Sequence, residues 1–117
     1  MKKVYHLASC STCARIISEL NLSTKKFSFQ DIKTERITDE QLEELKELAG
    51  SYEALFSRVA LKYKTLDPKP STEAEYRRLI LDEYTFLKRP VIVNGKSIFI
   101  GNAKKTVAAA AESIAGK

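Results

Sequence analysis

The sequence predicts an α/β fold: a mixed four-stranded sheet, made of two parallel strands plus an antiparallel hairpin, with helices packed on it and a helical insert between its halves. Three observations carry this expectation. Residues 3–31 read strand, helix, strand, the pattern of a right-handed parallel crossover. Residues 91–100 read as two short apolar runs around Asn94-Gly95, the strongest short-range signal for a hairpin. Between these halves lie helix-start signals and no strand pattern.

The elements follow in order. Residues 3–8 read as a short buried strand, followed by the loop Ser9-Cys10-Ser11-Thr12-Cys13. Ile16, Ile17 and Leu20 then recur at helical spacing, and Asn21 suits the helix end. Alternation in Phe27-Ser28-Phe29 predicts a second strand near 26–31. Thr38 with Gln41 makes a capping box for a helix over 38–49, with Ile37 and Leu42 as its staple. Leu42, Leu45 and Leu48 form its apolar stripe, and Gly50 suits its C-terminal cap. Ser51 opens a short helix carrying Leu55 and Phe56, and Arg58–Leu66 holds another helical turn. Asp67-Pro68-Lys69-Pro70 breaks the chain. Thr72 with Glu75 is a second capping box, followed by Tyr76, Leu79, Ile80 and Tyr84 on one helical face. Val91-Ile92-Val93 and Ser97-Ile98-Phe99-Ile100 form the hairpin, and an Ala-rich helix over about 103–115 ends the chain.

A chain of 117 residues makes a single domain, 1–117, with the helical insertion at about 38–86. Hydrophobic residues at 44% and charged residues at 30%, with 4 Gly and 3 Pro, exclude a disordered, collagen-like or low-complexity chain. No stretch approaches the ~20 apolar residues of a membrane span. The N-terminus shows no signal-peptide pattern, so the expectation is a soluble, cytoplasmic protein without membrane contact.

The net charge of +5 is uneven. Residues 31–53 hold eight acids against three bases, and residues 84–117 hold six bases against Glu112 alone. This suits a positive field around an anionic substrate. Direct nucleic-acid binding is not expected, because the bases are scattered and no aromatic motif interleaves them.

The chemistry centres on the cysteines. Two cysteines and one histidine are too few for a structural zinc site within one chain, and no metal is expected. Two cysteines three apart read as redox chemistry rather than as a structural staple. At a strand-to-helix junction the first of them meets the unpaired amides and positive dipole of the helix start. Both lower a thiol pKa, which makes Cys10 the nucleophile. Cys13, about one turn further on, is placed to attack a mixed disulfide on Cys10 and release the product. His6, four residues before Cys10, can donate to the thiolate or shuttle a proton. Arg89, before Pro90 at the start of the third strand, offers a fixed cation whose planar fork suits an oxyanion. Arg58 lies in the insert, placed to reach over the site.

Taken together, His6-Leu7-Ala8-Ser9-Cys10, the Cys10-Ser11-Thr12-Cys13 loop, Leu55-Phe56-Ser57-Arg58, Lys88-Arg89-Pro90-Val91-Ile92-Val93 and Ile100-Gly101 resemble the ArsC/Spx family. These are the glutaredoxin-type arsenate reductases and their relatives, and the resemblance covers nearly the full length. It implies a thioredoxin-like fold with an all-helical insertion. It also implies that Cys10 matches the arsenate-attacking cysteine, His6 the histidine beside it, and Arg89 the arginine before a cis proline. Ser11, Thr12, Pro90 and Arg58 are then the expected substrate-binding residues. No cofactor is expected to be bound; glutathione, thioredoxin or glutaredoxin is the expected reductant.

The chain also departs from the family pattern. The insert arginine falls nearest Val59, with Arg58 one place early. Ala14 stands where an arginine usually follows the loop, with Arg15 one place late. No arginine follows Arg89. Cys13 is a feature of the Spx-like branches and permits an internal disulfide. Two readings therefore stand. One is a thiol-dependent oxidoreductase, arsenate reductase-like, with Cys10 as nucleophile and Cys13 as resolving cysteine. The other is an Spx-like redox-sensing regulator that binds the RNA polymerase alpha subunit without touching DNA itself.

Overall fold

The computed structural model describes residues 1–115. The chain divides into two compact units, one formed by Met1–Glu35 with the segment from Arg89 onward, the other by Arg36–Lys88.

The first unit holds the sheet. Its strands are β1 (Lys2–His6), β2 (Ser28–Asp31), β3 (Val91–Asn94) and β4 (Ser97–Ile100), in the order β2-β1-β3-β4. β1 runs parallel to β2, with Val4 opposite Phe29, and antiparallel to β3, with Val4 opposite Ile92. β3 and β4 form the antiparallel hairpin. This is the mixed four-stranded sheet expected from the sequence. Helix α1 (Ser11–Glu19) joins the parallel strands, and the last helix, α4 (Lys104–Ala115), follows β4. Between sheet and helices, Val4, Ile16, Leu20, Leu22, Phe27, Ile92 and Ala110 form one buried cluster. Each large side chain hidden this way contributes roughly 1.5–3 kcal/mol of burial free energy.

The strand limits differ from the sequence pattern, for local reasons. β1 stops at His6 because the Leu7 carbonyl turns to accept the Cys10 amide at 2.9 Å. β2 begins at Ser28 because Lys26 has φ +64, a left-handed conformation no strand can hold. In the hairpin, Asn94 pairs with Ser97, so the two loop residues are Gly95 and Lys96. Gly95 alone among the loop pair has positive φ, at +66, which fits a type II′ turn with glycine first. Asn94 itself is a buried strand residue whose amide donates to Ser113 Oγ at 3.1 Å, tying β3 to α4.

The second unit is helical. α2 (Asp39–Ala49) starts at the Thr38–Gln41 capping box and ends at Gly50, whose φ of +95 is the left-handed cap the sequence predicts. α3 (Glu73–Asp82) starts at the Thr72–Glu75 capping box. Short 3-10 turns occupy Glu53–Leu55, Leu61–Thr65 and Tyr84–Phe86. The helical face expected to reach Tyr84 ends at Asp82. Glu83 is extended there, and its carboxylate accepts the Thr85 amide to open a separate turn. Phe56 is the aromatic hub of this unit, stacked on Phe86 at 5.1 Å and tilted against Tyr76 at 5.0 Å. The Glu73 carboxylate accepts the amides of Tyr52 (2.6 Å) and Glu53 (3.1 Å), fixing the turn after α2 to the start of α3. Among the described residues no helix is long and apolar enough to cross a membrane.

Candidate active site

Cys10 is the N-cap residue of α1. Its backbone is extended (φ −91, ψ 110), its amide donates to the Leu7 carbonyl, and its own carbonyl accepts the Ala14 amide at 3.1 Å. These bonds aim its sulfur at the helix end, where the Cys13 amide donates to Sγ at 3.4 Å. A sulfur in this position does what a serine or aspartate oxygen does at other helix starts: it satisfies an otherwise orphaned amide, and gains most from doing so when charged.

The two thiols are driven apart. Burial pushes Cys10 up, but the Cys13 amide, the Cys13 thiol, the Thr12 amide and the Arg89 charge together outweigh it, and its pKa falls below the ordinary thiol value. Burial pushes Cys13 the other way and dominates, helped by the neighbouring Cys10 sulfur, so its pKa rises to about 11 despite the Leu7 main chain and Arg89. Cys10 is half-buried and Cys13 fully buried, and neither is in a disulfide. One sulfur is thus accessible and easily ionised, and the other is held in reserve behind it.

Arg89 and Pro90 stand at the start of β3, joined by a cis peptide bond. Pro90 is buried, and its carbonyl accepts the Gly101 amide at 2.9 Å, which ties the exit of β4 to this corner. Ser11 is exposed at the first position of α1, and Thr12 is half-buried beside it. The first unit therefore brings Cys10, Cys13, Ser11, Thr12, Arg89 and Pro90 together at one end of the sheet. It carries eleven bases against four acids, net +7, whereas the second unit has nine against eleven, net −2.

Two expected residues have other partners. His6 meets Phe29 edge-on, ring centroids 5.8 Å apart at 89°, and lines a groove beside α1. Arg58 belongs to the second unit. There its Nη2 donates to Glu53 Oε2 (2.8 Å) and to the Tyr76 hydroxyl (2.7 Å), and its guanidinium lies 5.5 Å from the Tyr76 ring. Arg15 pairs with Glu19 on the exposed side of α1. Sequence reasoning missed Leu7, whose carbonyl accepts the Cys10 amide and whose main chain supports the Cys13 sulfur; a backbone contribution leaves no residue-type signal. Among the described residues no group of three or more His, Cys, Asp or Glu side chains is arranged to hold a metal ion.

The sequence model of the ArsC family matches residues 5–110. No curated protein sequence matches the chain. Among solved structures, a YffB protein superposes with a TM-score of 0.79 at 24% identity, covering 94% of this chain and 98% of its own. An arsenate reductase (ArsC) related protein from Brucella melitensis superposes with a TM-score of 0.69 at 22% identity, covering 92% of both chains. An arsenate reductase from Vibrio cholerae gives 0.73 at 19%, covering 92% of this chain and 97% of that one. These likenesses establish the thioredoxin-like fold. With the family match spanning all but the ends of the sequence, the chain belongs to the ArsC family.

Proposed function

We propose that the protein is a thiol-dependent oxidoreductase in which Cys10 is the nucleophile and Cys13 the resolving cysteine. The observation that carries this reading is the Cys10 sulfur at the N-cap of α1, accepting the Cys13 amide at 3.4 Å. A thiolate there is stabilised without a dedicated base, because the amides and helix dipole are already aligned.

The order of events follows from the two environments. The Cys10 thiolate attacks the electrophilic atom of the substrate, either a disulfide sulfur or the arsenic of arsenate. With a disulfide, one sulfur joins Cys10 and the other leaves as a thiolate. With arsenate, Cys10 replaces one oxygen ligand, which leaves as water. Once the Cys10 sulfur is consumed, it no longer holds the Cys13 proton by hydrogen bond or negative charge. Burial then remains the main cause keeping Cys13 protonated, and its ionisation becomes easier at the step that needs it. Cys13 attacks the Cys10 sulfur, closes the internal disulfide and expels the product. The two thiols supply two electrons, so a disulfide leaves as two thiols and arsenate as arsenite. Glutathione, thioredoxin or glutaredoxin restores the dithiol by exchange. Arg89 supports the Cys10 charge and offers a cation to an oxyanion, and the net charge of the first unit draws anions toward it.

The experiment is a coupled assay with glutathione and glutaredoxin, or with thioredoxin and its reductase, using arsenate and a small organic disulfide side by side. Cys10→Ser is expected to abolish turnover, and Cys13→Ser to trap substrate on Cys10. Turnover that survives Cys10→Ser refutes the assignment.

A further inference from the structure

A groove of about 540 Å³ runs beside the carboxyl end of β1, between α1 and β2. It lies within the size range of small-molecule sites. No Asp, Glu, Lys or Arg lines it, although 30% of the chain is charged and the surrounding unit carries net +7. An anion finds cations elsewhere on this unit but none here. The groove also has an aromatic wall: Phe29 is 37% exposed, and His6 meets it edge-on, which leaves ring surface for a guest ring to stack on. On the rim, the Thr24 hydroxyl already donates to the Asn21 carbonyl at 2.9 Å, so part of the polar lining is spent within the protein. The groove lies next to the thiol loop, its lining ending at the residues that flank it, Ala8 and Ala14. Its lining includes Leu7, whose carbonyl holds the Cys10 amide, and Ala14, whose amide holds the Cys10 carbonyl.

We infer that this groove binds the uncharged aromatic group of a small organic disulfide that Cys10 then attacks. The inference rests on the oxidoreductase reading and adds a substrate class to it. Cys10 takes one sulfur of the disulfide and releases the other half as a thiolate. Cys13 loses its proton to solvent, displaces the second aromatic thiolate, and leaves the Cys10–Cys13 disulfide, so two electrons pass to the substrate.

The test separates binding from chemistry. Dithiodipyridine, a neutral aromatic disulfide, is titrated into the Cys10→Ser/Cys13→Ser protein while the ring resonances of His6 and Phe29 are followed by NMR. Saturable shifts at both rings are expected. Ser18→Trp and Thr24→Trp, at exposed rim positions, are each expected to weaken binding by about fivefold or more, roughly the loss of one good apolar contact. The anionic dithiobis(nitrobenzoate) is expected to leave both rings unmoved. In the protein with both cysteines, the rim variants should slow exchange with dithiodipyridine by a similar factor and leave alkylation by iodoacetamide unchanged. Exchange without saturable shifts at His6 and Phe29, or binding indifferent to both rim variants, overturns the groove assignment while the oxidoreductase reading stands. Binding without exchange by the intact protein overturns the oxidoreductase reading, and with it the substrate role of the groove.

Discussion

Replacing Cys13 by alanine separates two contributions that the wild-type protein combines. Cys13 serves Cys10 twice, through its main-chain amide at 3.4 Å and through its thiol. Cys13→Ala keeps the amide and removes the thiol. Of the causes that lower Cys10, the amide ranks ahead of the thiol, with the Thr12 amide and Arg89 after them. Losing one weak donor costs about 0.5–1.5 kcal/mol of thiolate stabilisation. The Cys10 pKa should therefore rise only part of the way back toward the ordinary thiol value of 9.0, because the main-chain amide, the larger contribution, is kept. The assay is the rate of iodoacetamide alkylation across pH, with Cys10→Ser as the blank. A midpoint that climbs to the ordinary thiol value in Cys13→Ala would show that the partner thiol, and not the helix end, holds the charge. That outcome removes the physical basis for Cys10 as the nucleophile.

Three further outcomes follow from the same structure. Arg89→Gln should raise the Cys10 pKa by less than Cys13→Ala does, since its charge ranks last among the causes named; the same alkylation profile measures it. Alkaline stability should separate wild type from Cys13→Ala. A thiol raised from 9.0 to about 11 stabilises the folded state fully below pH 9, and this contribution is lost as pH rises from 9 to 11. Urea unfolding across that window should show wild type falling relative to the alanine variant by up to about 3 kcal/mol, and parallel curves would contradict the shift. Thr38→Ala removes the oxygen that accepts the Gln41 amide at 3.1 Å and should cost about 1 kcal/mol in urea unfolding, with no change in the Cys10 alkylation midpoint.

Features governed by local rules were legible in the sequence. The Thr38–Gln41 and Thr72–Glu75 boxes start helices where expected, because a capping box depends on four adjacent residues. Cys10 is legible at a helix start because the apolar spacing of Ile16 and Leu20 places that helix. The less legible features depend on backbone conformation or distant partners. The Asn94-Gly95 pair signals a hairpin, but the pairing of Asn94 with Ser97 moves the turn one residue on, and Asn94 turns inward to Ser113. The 3-10 turns around Phe56 follow from its contacts with Phe86 and Tyr76, far apart in sequence. His6 sits close to Cys10 in sequence, yet its ring partner is Phe29 on the next strand, because β1 and β2 pair in parallel register. The uncharged groove has no signature at all, since its lining is drawn from two strands, a helix and a turn.

The central claim is that α1 keeps the Cys10 sulfur negative while Cys13 stays protonated. Thiolate absorbance in the ultraviolet, followed across pH in the reduced wild-type protein and in Cys10→Ser, reads both sulfurs directly. The account predicts one thiolate appearing below pH 9, absent in Cys10→Ser, and a second appearing only near pH 11 in wild type. Two thiolates rising together near pH 9, or the first surviving in Cys10→Ser, would contradict it.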